Sequence, residues 1–189
     1  MTGNVASVDG YAKLSEAGSD AVRVGIGGGS VCSTSIATGV GVGQATLVRD
    51  IAIAKVEYDC KALIIADGGI KNAGDVSKAI ALGADFVMSG GMFAGLRETP
   101  GDVEDGYKVF AGQASMHIKT QNEFVEGAVT KVPMKGKLAE TWQALEDGLR
   151  SSMSYMNSHS LHEHRDIADE YFCLLSYSSQ IERNVHIHK

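Results

Sequence analysis

Cys32 closes the run Gly25-Ile26-Gly27-Gly28-Gly29-Ser30-Val31-Cys32, and two further apolar runs end in similar tips, Asp67-Gly68-Gly69 and Gly90-Gly91. Strands that finish this way expose bare backbone amides, and such amides hold a phosphate without needing a side-chain charge. The candidate donors are the amides of Gly69, Gly90 and Gly91, together with the Ser30 hydroxyl. A thiol beside such donors has its thiolate stabilised and becomes a nucleophile toward an electrophilic ring carbon. The competing role for any cysteine is that of a small core hydrophobe, and this is the role expected of Cys60 and Cys173, which fall in apolar patterns. The first tip is not a dinucleotide fingerprint. That motif needs G-x-G-x-x-G opening an amphipathic helix, whereas Gly25 and Gly27 here run on into Gly28, Gly29 and Ser30, and Cys32 is followed by Ser33-Thr34-Ser35.

Elements with regular periods must position these tips. Residues 7–17 have apolar or small side chains at helical spacing and stop at Gly18, a carboxy-terminal cap. Residues 22–24 read as a strand, 39–43 as the end of a loop, and about 44–58 as a longer helix. Residues 61–66 form a continuous apolar run of the buried-strand type, followed by a helix over 72–82 capped by Gly83 and a strand over 85–89. Strand and helix alternate, which predicts parallel strands, right-handed crossovers and carboxyl ends gathered on one face, the face where α/β folds bind ligands.

After Gly95 the alternation fades. Residues 97–107 read as an acidic surface excursion and 113–132 as a flap over the strand ends. Residues 137–156 predict an amphipathic helix with Leu138, Thr141, Trp142, Leu145, Leu149 and Met153 on one stripe, Trp142 being expected in the core. A short apolar stretch over 171–175 precedes a polar tail. The chain is read as one domain over 1–189: βα units over 1–95, flap and excursion over 96–132, terminal helix and tail over 133–189.

Composition bounds the function. The 189 residues with 44% hydrophobic and 21% charged side chains fit one globular domain, and a formal charge of −6 argues against nucleic acid as a partner. No apolar run is long enough to span a bilayer and no signal-peptide pattern opens the chain, so neither a membrane partner nor export is expected and the cytoplasm is the expected compartment. Three cysteines without a Cys-x-x-Cys indicate neither a disulfide framework nor a zinc site. His159, His162, His164, His186 and His188 cluster late in the chain; they are read as exposed polar residues rather than metal ligands, and the acidic residues over 97–105 as surface charge.

The run from Gly25 to Thr34, Thr38-Gly39-Val40-Gly41, Ile65-Ala66-Asp67-Gly68-Gly69-Ile70, the stretch from Ala84 to Gly95, Gly148-Leu149-Arg150-Ser151-Ser152-Met153 and the opening Gly3-Asn4-Val5 together resemble the IMP dehydrogenase/GMP reductase family, in its order and spacing. The resemblance implies a (β/α)8 TIM-type barrel, here its carboxy-terminal half, and a purine nucleotide substrate attacked at C2 by Cys32. It implies Thr34 and Glu126 as proton-handling partners, Asp67 on the ribose hydroxyls, and Ser30, Gly69, Gly90, Gly91 and Asn4 among the substrate contacts. It also implies a monovalent cation such as K+ on the carbonyls of Gly27, Gly29 and Cys32.

The absence of an Arg-Tyr pair and the short segment between Gln113 and Glu126 favour the reductase branch, which turns GMP into IMP with NADPH. The stretches Gly148-Leu149-Arg150-Ser151-Ser152-Met153 and Glu182-Arg183-Asn184-Val185-His186 resemble the NAD-dependent dehydrogenase instead, and a non-catalytic nucleotide-binding subunit is a third possibility. Gly28 stands in place of a usual proline, Phe110 in place of a tyrosine that donates to phosphate, and Gln113 and Ala114 in place of Met and Gly or Ser. A full barrel needs eight strands and about 250 residues, so the remainder is expected from further sequence, a separate chain or a second copy in a homo-oligomer.

Overall fold

The structure, a computed structural model, describes residues 1–112, 115 and 128–168. Four parallel strands form its centre: β1 (Thr2–Val5), β2 (Ala21–Val24), β3 (Leu63–Asp67) and β4 (Phe86–Met88), hydrogen-bonded in that order. Between them run α1 (Val8–Glu16), α2 (Thr34–Thr38), α3 (Gln44–Glu57) and α4 (Ala73–Ala81). The expected βα rhythm is present, with α1, β2, α3, β3, α4 and β4 within a few residues of their predicted bounds.

Local chemistry explains the boundaries. Ser7 caps α1 by accepting from the Gly10 N–H, and Asn72 caps α4 by accepting from the Asp75 N–H. Alternation along the strands then sorts the faces: Val22, Val24, Ile64 and Ala66 are completely buried against the helices, while Arg23 and Asp67 belong to the other face. Tyr11 on α1 is buried too and its hydroxyl donates to the Ala62 carbonyl, burial pushing that hydroxyl's pKa up. Asp85, just before β4, accepts from the Ile64 N–H at 2.9 Å and pairs with Lys55 at 3.0 Å, which fixes β4 against β3 and α3.

Four features depart from the sequence-based expectation. A short helix, α2, follows Cys32 where no helical pattern is visible. Part of the supposed surface excursion and flap folds as a three-stranded antiparallel sheet of β5 (Val103–Glu104), β6 (Tyr107–Ala111) and β7 (Val129–Pro133). Its Lys108 is buried, with Nζ donating to the carbonyls of Leu96 and Arg97 at 3.0 and 3.2 Å and to that of Thr99.

The helix expected over 137–156 is α5 (Leu138–Tyr155), but Trp142 is 61% exposed rather than in the core. Leu145 and Leu149 do pack on the core, and Gly148 sits against Ala73 at the start of α4. Trp142 lies nearly two turns ahead of that contact. Finally, His164 on α6 (Leu161–Asp166) is fully buried beside Ser158 and not a surface residue, whereas His162 is exposed and pairs with Asp166. Cys60 packs against the core as expected; Cys173, His186, His188 and the stretch over 171–175 lie outside the described residues.

Candidate active site

All three glycine tips meet around a single cleft of about 930 Å3 at the carboxyl ends of β2, β3 and β4. The first and second tips meet backbone to backbone. A Cβ placed on Gly68, whose φ is +97°, would lie 3.1 Å from Gly28 C and Gly29 N, so glycine is required there both by the left-handed backbone and by the approach of the neighbouring tip. Likewise a Cβ on Gly91 would lie 3.0 Å from Ser30 Oγ, which places the Ser30 hydroxyl directly over the third tip. Ser89 joins the second and third tips by donating to the Ile70 carbonyl at 2.7 Å.

Cys32 is half-buried on the cleft wall, held by its N–H donating to the Gly29 carbonyl at 3.0 Å. Its Sγ donates to Thr34 Oγ1 at 3.3 Å, so the two residues paired by the sequence reading are adjacent. Of the candidate cation ligands, the Gly29 carbonyl keeps one lone pair after accepting from Cys32. Among the described residues no group of three His, Cys, Asp or Glu side chains could hold a metal.

At the opposite wall Asp67 accepts through Oδ2 from Arg23 Nη2 at 2.8 Å, Arg23 Nε at 3.2 Å and Asn4 Nδ2 at 2.7 Å. Asn4 Nδ2 also donates to the Gly25 carbonyl at 2.8 Å. One carboxylate oxygen is thus fixed by the scaffold, leaving Oδ1 to accept from a ligand's hydroxyls. Arg23 was not foreseen as a site residue. The signal was there: an arginine between Val22 and Val24 on a buried strand must face the opposite side and find a partner.

The antiparallel sheet supplies the remaining wall through Phe110, Thr130 and Val132, with Lys135 just beyond β7. It docks close to the thiol: the Ala128 N–H donates to the Val31 carbonyl at 2.9 Å, and the Ala128 carbonyl accepts from Gly112. The Phe110 ring lies against Gly90. Glu126, Gln113 and Ala114 are outside the described residues.

A family model described as the IMP dehydrogenase / GMP reductase domain matches residues 1–186. The chain belongs to this family. Its similarity to curated members spans both branches: it is 40% identical to an inosine-5′-monophosphate dehydrogenase of Aquifex aeolicus over 203 aligned residues, taking in 98% of this chain and 41% of the relative. It is 41% identical to a GMP reductase of Ligilactobacillus salivarius over 165 residues, 85% of this chain and 50% of the relative. A GMP reductase of Pediococcus pentosaceus is 42% identical over 171 residues, 88% and 52% respectively. The chain spans about half the length of the curated relatives it matches.

Proposed function

We propose that the cleft binds a purine 5′-monophosphate and that the protein carries out NADPH-dependent reductive deamination of GMP to IMP through a covalent bond between Cys32 and C2. The observation that carries this reading is the meeting of a half-buried thiol, a half-engaged carboxylate and three amide-rich tips around one cleft. The amides of Gly69, Gly90 and Gly91 with Ser30 hold the phosphate, and Asp67, steadied by Arg23 and Asn4, takes the ribose hydroxyls. That places the base beside Cys32.

The chemistry then follows from charge. Cys32 Sγ bonds to C2 while the 2-amino group, having gained a proton, departs as ammonia; Thr34 and Glu126 move that proton. NADPH, when bound, would supply the hydride to C2. Breaking the C2–S bond releases IMP and restores the thiol. A K+ ion on the carbonyls of Gly27, Gly29 and Cys32 would steady the thiol-bearing loop. Ala128, the described residue nearest in sequence to Glu126, is tied to Val31 beside the thiol, which supports the glutamate's part.

The branch rests on the flap. The dehydrogenase alignment runs over 203 positions for a 189-residue chain, so well over a dozen are filled by the relative alone; the reductase alignments leave only a handful. The short segment between Gln113 and Glu126 and the fewer unmatched positions of the reductase alignments both favour the reductase. The dehydrogenase is the second reading, favoured by the wider match, 98% of the chain against 85–88% for the reductases.

Leu63 and Phe86 are 38% and 57% exposed, on the face of the parallel sheet away from its helices, which supports further parallel strands of a (β/α)8 barrel covering that face, from the same polypeptide, a separate chain or a homo-oligomer.

The test is product analysis. Ammonia and IMP from GMP with NADPH oxidation support the proposal; NAD reduction with IMP selects the second reading. Nucleotide binding without turnover, indifferent to Cys32→Ala, makes the protein a binding subunit.

A further inference from the structure

The cleft carries a charge that the glycine tips do not account for. Four charged side chains line it among the described residues: Arg23, Asp67, Lys71 and Lys135. Arg23 and Asp67 neutralise each other at 2.8 Å, which leaves Lys71 and Lys135 as the charged lining residues outside that pair. Lys71 extends the second tip, directly after Ile70. Lys135 lies at the third tip, where its Nζ donates to the Gly91 carbonyl at 3.0 Å and reaches the Met92 carbonyl at 3.5 Å. Both of its acceptors are neutral.

The position of Lys135 is built rather than incidental. Its N–H donates to the Gly95 carbonyl at 2.7 Å, and its stem crosses Gly95 so closely that a Cβ there would lie 3.3 Å from Lys135 Cγ. A Cβ on Gly95 would collide with the Pro133 carbonyl, so the glycine lets the end of β7 close on the third tip, and the backbone bond then sets where the ammonium arrives. Across the tip, Phe110 packs on Gly90 and offers no hydrogen-bond donor. A charge-assisted bond to phosphate is about twice as strong as one to a carbonyl, so a phosphate set among these amides competes effectively for Nζ.

We infer that Lys135 is a phosphate-binding residue: on ligand binding its ammonium turns from the Gly91 and Met92 carbonyls to a phosphate oxygen, and with Lys71 it matches the cleft to a dianionic monophosphate. A phosphate ester carries −1.5 to −2 charges near neutral pH, which two lysines balance. The inference rests on the proposed nucleotide site but predicts something that site alone does not. Lys135 discriminates by ligand charge and not by the base.

Titration calorimetry on the full chain with GMP and with guanosine separates the two. The Lys135→Met variant should weaken GMP by about 10- to 100-fold, leave guanosine unchanged and make GMP binding less sensitive to salt. Lys135→Arg, which keeps the charge, should recover most of the loss. A GMP-to-guanosine preference identical in Lys135→Met and the parent overturns the inference, as does an equal loss for both ligands, which marks a structural role. A parent protein that binds GMP no better than guanosine instead overturns the nucleotide site itself.

Discussion

The two walls of the cleft are made in opposite ways. The parallel wall is backbone: its tips touch through glycines and stand on strands whose Val22, Val24, Ile64 and Ala66 are completely buried. The antiparallel wall is side chain: Phe110, Thr130, Val132 and Lys135 reach in from a sheet whose Tyr107, Val109 and Val129 are 40–50% exposed. Backbone amides cannot be changed by substitution, so the parallel wall keeps its donors whatever side chains surround them. The other wall can be altered residue by residue without disturbing that core, so changes there should alter ligand preference if the proposed site is right.

The largest expected effect lies on the rigid wall. Asp67→Ala removes the acceptor of both Arg23 and Asn4 and leaves the guanidinium unneutralised in the cleft, so nucleotide affinity should fall about 100-fold or more by calorimetry. An affinity within about threefold of the parent would show that the carboxylate serves the scaffold only. On the other wall Lys108→Met strands the carbonyls of Leu96, Arg97 and Thr99, which should cost about 2–4 kcal/mol in denaturant unfolding. If stability is unchanged, the antiparallel sheet does not depend on its buried ammonium.

A pH effect separates the support of the two walls further. His164, packed behind the parallel layer, has its pKa lowered from 6.5 by burial. The unfolded chain therefore binds a proton in a range where the folded one does not. Stability should fall as pH drops below about 6.5, and His164→Gln should flatten that slope. Thermal unfolding at several pH values checks the sign; a parent stability that rises on acidification contradicts it. The smallest effect should be Phe110→Tyr, which adds a donor near Gly90 and is expected to tighten GMP severalfold with guanosine unaffected. Equal tightening of both ligands would place residue 110 against the base instead.

Short-range signals made the parallel half legible. Helix caps at Ser7 and Asn72, the buried strand runs and the glycine tips all act within a few residues, and α1, β2, α3, β3, α4 and β4 lie near their predicted places. What escaped depends on partners distant in sequence. Arg23 meets Asp67 only because β2 and β3 pair in the register Val24↔Ala66. Lys108 is buried because a loop 9–12 residues earlier folds three carbonyls over it, which no period records. In α5 the apolar stripe reaches the core through Leu145 and Leu149, yet a stripe is buried only where a neighbour reaches it, and among the described residues Leu138 and Trp142 stay exposed. His164 shows the converse: a polar residue among polar residues, buried through packing of α6 on α4.

A purine nucleotide carrying a leaving group such as chloride at C2 tests the central claim most directly, because the thiol that adds to that carbon then stays attached. Intact-protein and peptide mass spectrometry should find one nucleotide, less hydrogen chloride, on Cys32, formed far more slowly with the matching nucleoside and absent from Cys32→Ala. Labelling that falls equally on Cys60, or that ignores the phosphate, would contradict a thiol aimed at C2 by a phosphate-holding cleft.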